Sequence, residues 1–367
     1  MSLTRKETVD AIKSRKIIDG HIHLQKWFDD NGNNFIDGVE WYKKEFNMRA
    51  ISLAAMPCAY RDITQNFMCL LYKLAAPETY VHAGITYSEY PVVASCVEKG
   101  MDPLTQYKEL MEIGADGIKM LEGKPSVYRY VKLPICDSFY DPFYSQVEKD
   151  GTNILMHACD PIEFWDRSKV SEDEVKKGWF YGDGTTVTKE EMQNQVFKLL
   201  EKHPNLNLTL AHFFFVSDTP EVLEKMFAKY QNLNIDITPG GEMYKSFNER
   251  YDYFKAFFTK YADRILFGTD GCYPPGRDAM IWLTDRIYRY IATNEETDAW
   301  SEKPLKGIAL PTECVDKIFS QNFLNKVGQK PKEINKKALK NYYEKYKHLI
   351  RDKDIYIKVE ELFKKMI

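Results

Sequence analysis

Short β-branched and apolar runs alternate along the chain with longer stretches whose apolar positions recur every three or four residues. The eight strand-like runs cover 16–23, 48–56, 80–85, 117–121, 153–157, 206–212, 233–238 and 264–270. Helical periodicity runs over 39–46, 64–75, 103–113, 142–149, 189–202, 220–230, 244–261 and 278–293. Strict alternation of the two patterns predicts a parallel sheet joined by right-handed crossovers. Eight such units in roughly 280 residues match a (β/α)8 TIM barrel. An open doubly wound sheet would want a glycine-rich phosphate turn after its first strand. This chain has Gly20-His21-Ile22-His23 there. The predicted class is α/β, a closed barrel.

Beyond the eighth unit, 305–327 and 331–366 read as helices, with Leu339, Tyr342, Tyr343 and Tyr346 on one apolar stripe. No repeat, low-complexity tract or linker cuts the chain. The expected organisation is a barrel over 1–300 and a C-terminal helical extension over 301–367, packed on the barrel as part of one domain. From Gly328 onward there are 12 Lys/Arg against 6 Asp/Glu. Acids interleave with these bases, so a solvated helix face is expected rather than a nucleic-acid arm.

Composition narrows the class further. The 367 residues carry 51 basic and 54 acidic side chains, a net charge of −3. That balance leaves no footprint for nucleic acid or an anionic membrane. A 44% hydrophobic and 14% aromatic content supplies a large core. No run reaches the roughly 20 apolar residues that span a bilayer, and the start lacks a secretory apolar segment. The expected location is the cytoplasm. The seven cysteines are odd in number and lack CxxC spacing, so buried reduced thiols are expected rather than disulfides or a zinc ribbon.

The chemistry gathers at strand ends. His21 and His23 sit at i and i+2, so they share one face of the first strand. The fifth run ends in His157, the sixth in His212, and the eighth in Asp270. Four of seven histidines thus fall at the carboxyl ends of strands, the face where barrel enzymes keep their sites. Imidazoles converging there can grip a divalent metal, and open coordination positions mark a catalytic site.

The ordered set His21/His23, His157, His212 and Asp270 resembles the amidohydrolase superfamily. More narrowly, it is similar to the branch holding aminocarboxymuconate-semialdehyde and γ-resorcylate decarboxylases together with hydrolases and lactonases. The resemblance includes Phe267-Gly268-Thr269-Asp270 and the closing pattern Gly307-Ile308-Ala309-Leu310…Ile318-Phe319-Ser320-Gln321-Asn322. It implies that His21, His23 and His157 bind one divalent metal ion, zinc first and manganese second, with Asp270 near or on it. It places His212 either behind the metal ligands or on the substrate's carbonyl or carboxylate, and Asp270 and His212 become the catalytic pair. Relatives commonly form homodimers.

The implied activity is metal-dependent hydrolysis of a small ester, lactone or amide through a metal-activated water. Non-oxidative decarboxylation of an aromatic or unsaturated acid on the same site is the alternative. A catalytically inactive barrel serving as a binding scaffold is the alternative of another class. The partner in each case is a small molecule, anionic or carbonyl-containing.

Lys119, near the end of the fourth strand, departs from the mononuclear pattern. Binuclear relatives place a carboxylated lysine on this strand, so carbamate bridge, substrate-binding cation and structural lysine all stay open, with one metal expected. Glu122 and Lys124 are candidates to face the mouth. Trp27, Arg61, Trp165 and Trp179 are candidate substrate contacts on mouth loops, the last within a glycine-flexed segment, 178–184, that suits a lid. Arg129 and Arg277 join Arg61 as candidate carboxylate partners. Asp29, Asn31, Asn33, Asp37 and Glu40 take calcium-loop spacing, but Asn34 stands where that loop needs glycine. His82, inside the third run, is expected to be a hydrogen-bonded core residue; His203 and His348 are given no role.

Overall fold

The computed structural model describes residues 5–24, 35–57, 63–87, 92–273, 277–297 and 304–367. Its main sheet contains nine parallel strands in the order β8-β7-β6-β5-β4-β3-β2-β1-β9. They are β1 Ile18–Leu24, β2 Ala50–Ala54, β3 Tyr80–Gly84, β4 Gly117–Gly123, β5 Asn153–Ala158, β6 Leu208–Leu210, β7 Leu233–Asp236, β8 Ile265–Leu266 and β9 Gly271–Tyr273. All eight expected strands are present. The eighth splits in two, because Asp270 adopts φ 53° and breaks the extended backbone between β8 and β9. The first piece pairs with β7 and the second with β1. Gly20 N donates to Phe267 O at 3.1 Å and Asp270 N to His21 O at 2.9 Å across the seam. The cylinder closes through that broken rung.

Parallel strands covered by helices are buried on both faces and read as continuous apolar runs. β1 to β5 are buried at every position. Polar residues inside so dry a layer need partners. His82, for instance, contacts Ser52 Oγ at 2.8 Å and Asn153 Oδ1 at 3.1 Å, as a core histidine should.

The helices differ from expectation at their breaks. The 244–261 pattern is two helices, Gly241–Glu249 and Tyr251–Lys260, parted at Arg250. Helices at Arg5–Arg15, Val92–Glu98 and Pro125–Val131 add to those expected. The 305–327 segment opens with a short strand, Leu305–Lys306, then gives two short helices flanking a π-turn, Lys317–Gln321. Asn322 donates to the carbonyls of Ala262 and Ile265, both at 2.7 Å, while Phe323 packs edge-on against Tyr80. The closing pattern of the sequence therefore seals the barrel floor. The last stretch divides at Asp352, whose side chain caps Lys353–Met366 by accepting from Asp354 N and Ile355 N. Helix Lys336–Tyr346 buries Leu339, Tyr342, Tyr343 and Tyr346, with Tyr342 and Tyr343 edge-on to Phe67 of the barrel layer. Among the described residues no helix is long and apolar enough to cross a membrane.

Candidate metal centre

β1 delivers His21 and His23 to the carboxyl end of the barrel, their Nε2 atoms 3.1 Å apart. A glycine is needed beneath them: a Cβ on Gly268 would meet His21 Cβ at 2.7 Å and Thr238 Cγ2 at 2.8 Å. The tautomers follow from the partners. His21 Nδ1 lies 2.8 Å from Asp236 Oδ2, and His23 Nδ1 lies 2.6 Å from Ala54 O. A carboxylate and a carbonyl only accept, so each Nδ1 carries a proton and Nε2 is the ring nitrogen that each histidine turns toward the other. Burial, and next the Lys119 ammonium, push His21 down to about 3 and keep it neutral.

Asp270 completes the group. Its Oδ1 lies 3.0 Å from His23 Nε2 and 3.6 Å from His21 Nε2. Among the described residues, His21, His23 and Asp270 form a set whose ligand atoms lie within 4.8 Å of one another. Three electron-rich atoms facing one point call for a cation. Bonds of about 2.0–2.2 Å to a tetrahedral ion put neighbouring donors about 3.3–3.6 Å apart. The 3.6 Å separation of His21 and Asp270 falls in that range, and the 3.0 and 3.1 Å separations are a few tenths of an ångström tighter. Two imidazoles and one carboxylate suit zinc or manganese without choosing between them. Lys119 Nζ stands 2.8 Å from His21 Nε2, a cation already placed against one lone pair.

His212 and His157 sit beside this group. The His212 ring lies 5.7 Å from that of His21 and 4.7 Å from that of His157. Thr238 Oγ1 is 2.5 Å from Asp236 Oδ1, which takes its proton, and 2.9 Å from His212 Nδ1. His212 Nδ1 is then the donor, and Nε2 faces Asp270 Oδ2 at 4.0 Å with its lone pair free. Burial lowers the His212 pKa, so the ring is a neutral proton acceptor. The backbone is forced here: His212 to Phe215 hold φ of 53–57°, a left-handed turn of four residues with side chains. Each such residue costs roughly 1–2 kcal/mol, and such strain concentrates at functional sites. His157 is on the rim, but its Nε2 pairs with Asp160 Oδ1 at 3.0 Å and stays outside the three-residue group.

Three carboxylates that the sequence reading passed over organise the site. Asp236 accepts from His21 through Oδ2, and from His212 N, Thr238 N and Thr238 Oγ1 through Oδ1. Burial pushes its carboxyl up, but the hydrogen bond from His21 leads the groups that outweigh it, and its pKa falls well below the usual range. Asp19 accepts from His21 N, Thr269 N, Thr269 Oγ1 and Tyr42, tying β1 to the seam. Asp160 holds His157, Lys124 Nζ (2.7 Å) and Tyr181 OH (2.6 Å). Strand-end position was the available signal for Asp236, and the i, i+2 face shared with His21 and His23 for Asp19.

Above the group lies a cavity of about 520 Å³, lined in part by His23, Lys119, Lys124, Arg129, His157 and Trp179. Lys119, Lys124, Arg129 and Trp179 thus line this cavity. Trp165 does not: its indole donates to Val187 O at 3.2 Å and its ring packs on Tyr181, beneath the lid. Glu122 also turns away, accepting from Tyr87 OH and Leu121 N, because neighbours in a strand face opposite sides. Trp27, Arg61 and most of the calcium-like loop lie outside the described residues, as does the side chain of Arg277.

A family model described as amidohydrolase matches residues 87–322. Among curated proteins, none matches. Solved structures with this fold include an uncharacterised TIM-barrel protein from Bordetella bronchiseptica, at 14% identity and TM-score 0.50, covering 84% of this chain and 97% of that one. They also include 2,6-dihydroxybenzoate decarboxylase from Rhizobium, at 15% and 0.50, covering 84% and 98%. A third is 4-oxalomesaconate hydratase from Rhodopseudomonas palustris, at 12% and 0.51, covering 91% and 99%.

Proposed function

This chain belongs to the amidohydrolase family, and from that premise and the geometry of its site we propose that it is a metal-dependent hydrolase of a small organic ester, lactone or amide. The observation that carries the reading is the pair His21 and His23, whose Nε2 atoms meet 3.1 Å apart beside Asp270. His21, His23 and Asp270 would hold one ion, zinc in the first instance. His157 would add a fourth donor through Nδ1, since its Nε2 is engaged by Asp160. Once bound, the ion supplies Lewis-acid polarisation and lowers the pKa of water to about 7.

The chain's own residues do the rest. Asp236 fixes the tautomer of His21 and, through Thr238, that of His212. The Asp270 oxygen not facing His23 lies 4.0 Å from His212 Nε2, so a proton leaving water can pass to either group. The segment with Gly178 and Trp179 lines the cavity wall and would limit competing water if it closed over a substrate.

Decarboxylation is the second reading. Lys119 favours it, because an ammonium 2.8 Å from His21 Nε2 can pair with a carboxylate on the substrate. Metal-loaded protein incubated in ¹⁸O-water with esters, lactones, amides and aromatic acids separates the two. Label in the product supports hydrolysis, and carbon dioxide release without label supports the lyase. Metal-loaded protein that turns over neither class, while Asp270→Asn binds the same compounds unchanged, would leave the inactive scaffold.

A further inference from the structure

The outer half of the cavity has its own chemistry. Besides Lys119 at the metal group, its wall holds Lys124, Arg129 and Lys177, and its lining acid is Asp270. Asp160 balances Lys124 from behind. Arg129 spends its guanidinium on carbonyls, donating to Gly178 O at 3.1 Å and to Phe180 O, with Asp183 Oδ1 at 3.5 Å. Carbonyls orient that charge without neutralising it. Lys177 has no carboxylate within 4 Å among the described residues; its ammonium rests 5.0 Å from the Trp179 ring. Lys124 Nζ lies 5.7 Å from the same ring. Phe164 stacks with that indole at 5.8 Å and 24°. Lys124 is fixed beside this ring by Asp160, whereas Lys177, held only by the aromatic surface, stays available to a stronger partner.

We propose that Lys177, Arg129 and Lys124 form a second anion subsite around Trp179, so that the substrate is a small dianion: one acidic or carbonyl end at the His21/His23/Asp270 group, the other acid under the lid. This rests on the proposed small-molecule activity and names its substrate class. Arg129 already shapes the loop through two carbonyls, and Lys177 enters from the lid side, so the subsite is completed by the segment that covers the cavity. A neutral or singly charged substrate would leave Lys177 at this wall without a carboxylate, whereas a second acid would complete the group that Lys124 and Arg129 begin. A carboxylate here accepts charge-assisted hydrogen bonds, and the charge complementarity discriminates between substrates.

The test is calorimetric, at fixed ionic strength, on the full chain both zinc-loaded and chelator-treated. The probes are isophthalate, terephthalate and glutarate, each paired with its monomethyl ester as a size-matched monoanion. At least one dianion should bind about tenfold tighter than its ester, whether or not zinc is present. Lys177→Gln should remove about tenfold from that dianion while moving the ester less than twofold, and Lys177→Arg should restore the preference. If no dianion exceeds its ester by threefold, or if Lys177→Gln weakens both equally, the subsite is refuted. Zinc content is measured on the same samples: absence of the preference with zinc bound overturns the subsite alone, whereas a preference in protein that takes up no zinc on loading overturns the metal reading alone.

Discussion

Asp236→Asn replaces one oxygen by an amide nitrogen at the centre of the network that orients the histidines. Asp236 Oδ1 accepts three hydrogen bonds, from His212 N, Thr238 N and Thr238 Oγ1, and Oδ2 accepts one, from His21 Nδ1. Asparagine keeps the larger set by leaving its oxygen at the Oδ1 position. Its NH2 then faces His21 Nδ1, and two donors cannot share that 2.8 Å contact. His21 must move its proton to Nε2, the atom that shares the metal position with His23. Losing a partner of this kind lowers metal affinity about 10–100-fold, or about 1.4–2.8 kcal/mol at tenfold per 1.4 kcal/mol. Zinc titration of metal-stripped protein against a competing chelator reads this directly, with circular dichroism confirming the fold. Long-range ¹H–¹⁵N correlation should show His21 switching from the Nδ1–H to the Nε2–H tautomer. A folded variant whose zinc dissociation constant stays within twofold of the parent would refute the reasoning.

Lys119→Met should leave one zinc per chain, measured by elemental analysis; two in the parent and one in the variant would mean that Lys119 bridges a binuclear site. Glu122 gives a pH test: burial pushes its carboxyl from the ordinary 4.5 up to about 7. Its folded pKa is raised, so the stability it allows is whole below pH 4.5 and is lost as pH rises through 7. Glu122→Gln cannot titrate, and the stability difference from the parent should shift toward the variant by about 2–3 kcal/mol between pH 5 and pH 8, at 1.36 kcal/mol per pKa unit. Denaturant melts at both values check this, and a constant difference contradicts it. Lys73→Ala should cost about 3 kcal/mol by urea melt, because it strands buried Asp116, bonded to Lys73 Nζ at 2.6 Å; a loss below 1 kcal/mol would show the pair to be dispensable.

The barrel was legible because covered parallel strands are apolar at consecutive positions, and eight such runs bounded by turns leave few topologies. Strand ends were less legible. The expected 206–212 run stops at Leu210 because His212 enters the left-handed turn, and β8 stops at Leu266 because Thr269 and Asp270 turn toward Asp19 and His21. Those stops are set by hydrogen bonds between residues far apart in sequence, which periodicity does not encode. His21, His23 and Asp270 were legible from their places at strand ends. Asp160 was not, since a lone aspartate after a strand reads equally as a turn residue, and Asp236, the last residue of β7, fell inside the expected 233–238 run. Trp165 was misplaced for a related reason: composition puts aromatics on mouth loops, but only packing decides which ring lies under the lid.

The proposed function turns on one divalent ion held between His21, His23 and Asp270. Anomalous diffraction at the zinc edge from crystals of the loaded protein tests it most directly. The account predicts a single peak about 2.0–2.2 Å from His21 Nε2, His23 Nε2 and an Asp270 oxygen, with Lys119 Nζ displaced from His21. A crystal that shows no peak there at saturating zinc, or a peak elsewhere with Lys119 still on His21, would contradict it.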